Sequence, residues 1–196
     1  MSLNRLTGPN FFGNGQCHFD NVRVSENNML GKQGKGFNML DTAIEAKFII
    51  YSTFIGAVQK LYEGVREFAK HRKGGGKPII EHGNIAERLG QMAVDIEMMR
   101  AYALRVAWES DQRLKNKAPV NLYHSLGCCV AIKDLTWRFC ELASDIYGGL
   151  AGSLELPLEG FTRLMYTLRT GGTPGNVQAI KCSEVFDDRY NYMFTN

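Results

Sequence analysis

Helical periodicity, sustained over long stretches and broken only by glycine and proline, constrains this chain more than any other feature. From Phe37 onward, Leu40, Ala43, Ile44, Phe48, Tyr51, Ile55, Val58 and Leu61 recur at steps of three and four residues. That is the spacing of one face of an α-helix, and it predicts one long helix from residue 37 to about residue 70. The pattern breaks at residues 72–78 (RKGGGKP), where three glycines and a proline cannot continue a helix. A second long helix is expected from near Gly83 to near Leu114, with Ile85, Leu89, Met92, Ile96, Met99, Ala103 and Val106 on its buried stripe. Pro119 suits the first turn of a third helix. Its apolar face runs through Leu122, Leu126, Val130, Leu135, Phe139, Leu142 and Ile146 until Gly148 and Gly149 stop it. A shorter helix after Pro157 carries Phe161, Leu164, Met165 and Leu168, and a last one is expected from about Asn176 to Tyr190. Three long helices on short connections, followed by shorter ones, pack as an all-α, up-down four-helix bundle.

The first 36 residues have a different character. Residues 15–24 (GQCHFDNVRV) alternate His18, Asp20 and Val22 with Phe19, Asn21 and Arg23, which predicts one short β-strand. Asn27, Asn28, Gly31, Gly34 and Gly36 then close it in turns. A lone strand cannot satisfy its own edges. It either pairs with strands outside this chain or lies as an arm on the body, and the first reading is preferred because no other segment offers it a partner. The expected division is a strand and linker over 1–36 and a helical bundle over 37–196.

Of the 196 residues, 44% are hydrophobic and 22% charged, the composition of an ordinary folding chain. The net charge of +3, from 23 basic and 20 acidic residues spread along the chain, excludes nucleic-acid binding by a strong basic field. The five cysteines, Cys17, Cys128, Cys129, Cys140 and Cys182, form an odd set with no CxxC pair. A disulfide framework or zinc site is not expected, and a reducing cytoplasm is. No apolar run reaches the ~18 residues of a membrane span, and the start lacks a signal-peptide pattern.

Few local motifs carry chemistry by themselves. The glycines of residues 74–76, flanked by Arg72, Lys73 and Lys77, can present backbone N–H groups and cations to a phosphate, or can form a flexible basic interhelical loop. They are not a P-loop, since the spacing and a preceding strand are missing. His18, His71, His82 and His124 show no ligand spacing, so no metal site is expected. Cys128 and Cys129 read as core thiols. Glu155 and Glu159 flank Pro157 and suit a helix start, where negative charge is stabilised by the dipole.

Taken together, four segments resemble one family. FDNVRVSENNMLGKQGKGFNML is similar to the end of the middle β domain and the start of the first bundle helix in acyl-CoA dehydrogenases, with their F-x-x-V-x-V-P, N-x-L-G and G-x-G-F elements. RKGGGKPIIEH resembles R-x-x-F-G-x-x-I-x-x-H/Q. GGLAGSLELPLEGFTR resembles G-G-x-G-x-x-x-E-x-P-x-E-x-x-x-R, with Ala151 for the third glycine, and TGGTPGNVQAIK occupies the place of E-G-T-x-x-I-Q. The segments run in family order over almost the whole chain.

The resemblance implies a three-part flavoprotein, of which this chain is the C-terminal bundle with the last strand of the β domain, so a piece of a longer protein is expected. It implies FAD between the two domains, with a neighbouring subunit's bundle touching the pyrophosphate, and a homo-oligomer, dimer or tetramer. Arg72, Gly74, Asp145, Gly148, Gly149 and Thr173 fall at cofactor-binding positions. Gly75 replaces the usual phenylalanine, Gly83 a common glutamine, and Asp145 places an anion beside an anionic cofactor. The family reaction requires a carboxylate base to take the α-proton of an acyl-CoA while hydride passes to the flavin. The usual base position is held by Gly171, or by Gly172 if aligned without a gap. The alternative position on the first bundle helix is held by Lys47, with Phe48 in place of an arginine. Glu45 lies two residues away, about 200° around the helix, and is the remaining candidate.

The function implied is α,β-dehydrogenation of acyl-CoA thioesters, passing electrons to an electron-transfer flavoprotein or a similar acceptor. The other readings are a family member lacking the usual glutamate, acting as a flavin monooxygenase-like enzyme, an enoyl-CoA reductase or a non-catalytic partner subunit, and a helical interaction bundle without cofactor. The chain by itself is expected to turn over no acyl-CoA.

Overall fold

The computed structural model describes residues 2–4, 14–36, 39, 43, 46–118, 122–171 and 175–194. Strands β1 (Ser2–Asn4) and β2 (Asn14–Gln16) pair antiparallel, Leu3 opposite Gly15. The strand expected over residues 15–24 is therefore corrected. Only its first residues join a ladder, their partner lies within this chain, and the alternation of residues 17–24 ends in open backbone. Asn21 adopts φ +49, which breaks an extended run, and Phe19, Val22 and Val24 are all exposed, so no buried face holds a register.

The helices follow the periodicity closely. Helix α1 is Lys47–His71, α2 Gly83–Asn116, α3 Leu122–Tyr147, α4 Pro157–Thr170 and α5 Gly175–Phe194. Gly36, Met39 and Ala43 are also helical, while Pro119 and the expected apolar positions Leu40 and Ile44 lie outside the described residues. Helix α2 ends on Lys117, in the left-handed region at φ 51, a common way for a helix to close. Pro157 opens α4 and Glu159 sits in its first turn, 2.6 Å from Arg163. Glu155 is exposed, just before the first turn of α4.

Helix α3 is the centre of the bundle, packed on α1, α2, α4 and α5. Val58, Met92, Met99, Ile132, Phe139 and Met165 form the heart of the core, each almost wholly buried. Helices α2 and α3 approach closely at Gly127, where any side chain would collide with the Tyr102 hydroxyl. Antiparallel α2 and α3 are pinned by two ion pairs two turns apart, Arg88–Asp145 and Asp95–Arg138.

All five cysteines are free thiols, and Cys128, Cys129 and Cys140 are buried. Burial pushes the Cys128 and Cys129 thiols up to about 12 and Cys140 to about 11, from an ordinary 9.0. Above the ordinary value the unfolded chain releases protons that the native chain keeps, so stability is lost as pH rises. Each thiol adds at most about 1.4 kcal/mol per pH unit. Burial of Lys133 lowers its pKa and acts in the opposite sense, while burial raises those of Cys182, Tyr51, Tyr102 and Tyr147 and so adds to the effect of the three thiols. Urea midpoints are expected to fall from about pH 9 upward and to keep falling toward about pH 11, while replacing the three cysteines by alanine or valine makes the slope shallower. Maleimide at neutral pH should label exposed Cys17 well before these three.

Candidate functional site

The residues singled out above gather at opposite ends of α1. At its C-terminal end, strands β3 (Lys73–Gly74) and β4 (Lys77–Pro78) form a minimal antiparallel hairpin. Gly75 and Gly76 make its turn with φ 59 and 82, the two left-handed residues a tight hairpin demands. His82 Nε2 donates to the Gly74 carbonyl at 2.9 Å, and a Cβ on Gly75 would lie 3.3 Å from the same imidazole. The three glycines therefore build a hairpin beside His82, and the left-handed φ with the imidazole 3.3 Å from a Cβ disfavours a bulky side chain at Gly75. Arg72 enters the hairpin with its N–H bonded to Phe68 O and its carbonyl to the N–H of Ile79, both at 2.8 Å. Its guanidinium is exposed and, among the described residues, makes no ion pair.

The C-terminal end of α3 arrives at the same place. The Phe68 and Tyr147 rings pack at a tilt of 53° with centroids 4.9 Å apart. Arg88 Nε lies 3.1 Å from Asp145 Oδ2 while Arg88 Nη1 holds the Asn84 carbonyl. Gly148 has φ +58, and Gly149 is exposed with open space where a Cβ would stand. The fold thus brings Arg72, Gly74, Asp145, Gly148 and Gly149 to one end. Arg88, which sequence reasoning missed, supplies the cation that answers Asp145; it is one of many basic residues along α2, and only the register of two helices reveals it.

Lys47, the first residue of α1, marks the other end, about 37 Å away at 1.5 Å per residue. Phe48, in the place of the family arginine, is a core residue at 6% exposure. Gly171 ends α4 with its N–H bonded to Thr167 O at 2.6 Å, and a Cβ there would meet that same oxygen at 2.7 Å. A side chain at this position therefore requires the backbone to move. Glu45, Gly172 and Thr173 lie outside the described residues.

A polar constellation unforeseen in the sequence lies near this end. Lys133 of α3 is 2% exposed, and its Nζ donates to Gln178 Oε1 of α5 at 2.9 Å and sits 4.9 Å from the centre of the Tyr51 ring. Desolvation lowers its pKa first of all, the Cys129 thiol pulls the other way, and the positive charge of Lys47 lowers it further. Tyr51 is pushed up to about 12, chiefly by burial. The one available signal was a lysine seven residues after Leu126, on the face that carries Cys129 and Thr136.

No described helix is long and apolar enough to cross a membrane, and no metal-binding cluster occurs among the described residues. Residues 34–184 match the acyl-CoA dehydrogenase C-terminal domain. The chain is 32% identical over 161 residues to the probable acyl-CoA dehydrogenase YdiO of Escherichia coli strain K12, covering 80% of this chain and 40% of that protein. It is 33% identical over 139 residues to the (2S)-methylsuccinyl-CoA dehydrogenase of Cereibacter sphaeroides, covering 70% of this chain and 24% of that one. The butyryl-CoA dehydrogenase of Megasphaera elsdenii superposes with a TM-score of 0.82 at 21% identity, over 94% of this chain and 47% of its own. The chain thus spans less than half the length of these relatives. With the family match over residues 34–184 and the helical superposition in agreement, the chain belongs to the acyl-CoA dehydrogenase family, as a domain of that family's C-terminal helical type.

Proposed function

We propose that the full-length protein is an FAD-dependent oxidoreductase acting on the CH–CH bond beside an acyl-CoA thioester, and that this chain is its helical domain, residues 37–196, preceded by the last strand and linker of a β domain over 1–36. The match of residues 34–184 to the family's C-terminal domain carries this reading. The residues gathered around the hairpin suit a dinucleotide. Arg72 presents an exposed guanidinium, Gly149 leaves room for backbone approach, and Arg88 offsets the charge of Asp145. FAD supplies the hydride acceptor when bound. The chain's own part is to hold it: Arg72 as a bidentate pyrophosphate donor, Gly74, Gly148 and Gly149 as close backbone, Asp145 toward the adenosine, and Thr173 as a hydroxyl donor.

Lys47 and Arg72 are separated by more than one dinucleotide spans, which supports a homo-oligomer in which the hairpin end of one copy serves the cofactor of another. Val94, Met98 and Trp108 lie exposed along α2, an apolar stripe suited to such self-association. Dimer or tetramer, cytoplasmic location and an electron-transfer flavoprotein as acceptor belong to the same proposal.

A second reading is favoured by the closed Gly171 position and by Lys47. Where neither family position bears a carboxylate, the protein acts as a flavin monooxygenase-like enzyme, an enoyl-CoA reductase or a non-catalytic partner subunit. Anaerobic titration of the full-length protein with saturated CoA thioesters, followed by flavin absorption, separates them. Bleaching of the oxidised band is the expected result for α,β-dehydrogenation, with Glu45 the first residue to replace. Bound flavin that no thioester bleaches selects the second reading, and a protein without flavin overturns both catalytic ones.

A further inference from the structure

Helix α2, the longest of the bundle at 34 residues, carries an apolar line on its outer side, where a bundle helix ordinarily turns polar residues. Val94, Met98, Leu104 and Trp108 are all exposed there. Steps of seven residues take Glu87, Val94, Ala101, Trp108 and Lys115 down one face, and all five are exposed. Each such step drifts about 20° around a straight helix, so they form one line about 42 Å long at 1.5 Å per residue. Met98 and Arg105 flank it on one side, Glu97 and Leu104 on the other.

The order of side chains on this face is symmetric about Ala101. Counting outward from it, three residues either way are Met98 and Leu104, four are Glu97 and Arg105, seven are Val94 and Trp108, and fourteen are Glu87 and Lys115. In each of these pairs apolar answers apolar or acid answers base.

We propose that α2 pairs antiparallel with α2 of a second copy across a twofold axis at Ala101. That axis brings each residue level with its counterpart on the far side of Ala101, the isologous arrangement in which residue i meets j and j meets i. Val94 then packs on Trp108 of the second copy, and Met98 comes level with its Leu104. Glu97 comes level with Arg105 and Glu87 with Lys115, so charges of opposite sign close the rim. Ala101 meets its own copy, and its small side chain lets the two axes approach to the short end of the usual 8–10 Å. A parallel pairing would set Arg105 level with Arg105 and Glu97 with Glu97, and like charges across an interface are costly. Within the chain Arg105 reaches Glu109 at 2.9 Å and Glu97 lies 3.6 Å from Arg100, yet both side chains stay more than half exposed. A guanidinium has donors enough for two carboxylates. The pairing rests on the homo-oligomer reading above and supplies its contact, and it needs neither flavin nor substrate.

Crosslinking tests the register, in the chain with Cys17→Ser, which removes the exposed natural thiol. Under mild copper–phenanthroline oxidation Ala101→Cys is expected to give a disulfide-linked dimer, because the two introduced sulfurs meet at the axis. Val94→Cys alone should not, its own copy lying about 21 Å away along the pair, and adding Trp108→Cys should restore the link. Sedimentation equilibrium tests the charges. Glu97→Arg is expected to raise the dimer dissociation constant about tenfold, since it sets arginine level with Arg105 twice in the pair, and Arg105→Glu should do the same against Glu97. The exchange of both, Glu97→Arg with Arg105→Glu, should return affinity to within about threefold of the natural chain. All these positions are exposed, so the variants fold. A dimer that links through Val94→Cys but not Ala101→Cys, or that the double exchange fails to restore, overturns this pairing and leaves the homo-oligomer reading to another surface. A chain that stays monomeric at about 100 µM overturns the contact, and a monomeric full-length protein overturns the reading it rests on.

Discussion

Arg138→Met is expected to destabilise the bundle by about 3 kcal/mol, the range for stranding a buried charge. Asp95 is wholly buried on α2. Arg138 of α3 grips it with two nitrogens, Nε at 2.7 Å from Oδ2 and Nη2 on Oδ1, and Gln91 Nε2 adds a bond to Oδ1 at 3.0 Å. Without the guanidinium the carboxylate keeps one neutral donor. Because the arginine side chain is 44% exposed, water reaches part of the gap, which places the effect at the low end of the range. Asp95→Asn keeps the Gln91 contact and should cost less, and in the double variant the arginine replacement should add little, giving a coupling of about 2 kcal/mol. Urea denaturation of the four proteins checks this; a loss below about 0.5 kcal/mol for Arg138→Met would class the pair with ordinary surface ion pairs.

The same pair shows how the fold positions the candidate site. Arg88 precedes Asp95 by seven residues on α2, and Asp145 follows Arg138 by seven on α3. In antiparallel helices this spacing makes Arg88–Asp145 and Asp95–Arg138 rungs of one ladder about 10 Å apart, with opposite charge order. A slip of one turn would leave a buried carboxylate without its arginine. The register that the buried rung enforces is the one that carries Asp145, Gly148 and Gly149 to the hairpin, so stability and site geometry share a cause.

Much of this was legible in the chain. Gly83, Gly148 and Pro157 mark helix ends within a residue or two because each acts through its own backbone chemistry, whatever the tertiary context. The stripe of α3 was read less accurately. Val130, Leu135 and Leu142 were expected on the buried face but are only partly covered, while Cys129, Lys133, Thr136 and Cys140 are buried. Four other helices surround α3, so burial extends beyond its most hydrophobic line and takes in polar side chains that find partners across it. Residues 17–24 failed for the opposite reason: alternation predicts a strand only where one face has something to pack against. The glycines of the hairpin were read as a phosphate cradle or a loose loop because sequence cannot distinguish exposed amides from a turn that a histidine eight residues on holds closed.

The buried Lys133–Gln178 pair between α3 and α5 gives the other large effect. Lys133→Met with Gln178→Leu is expected to make the chain about 1–3 kcal/mol more stable than the natural one, since replacing a buried polar or ionic pair by apolar side chains of similar size removes its desolvation cost. Each single change should be worse than the double. Lys133→Met takes away the donor at 2.9 Å from Gln178 Oε1 and leaves both ends of a wholly buried amide unmet, costing about 1–3 kcal/mol. Gln178→Leu leaves the Lys133 ammonium with its contact to the Tyr51 ring but without the amide oxygen. The order double variant, natural chain, single variants is the mark of a polar pair kept in a core at a cost to stability. A double variant less stable than the natural chain by more than about 1 kcal/mol would instead make the pair a structural tie between α3 and α5. Equilibrium unfolding therefore decides whether the Lys133–Gln178 contact between α3 and α5 is a net cost to the core or a structural tie.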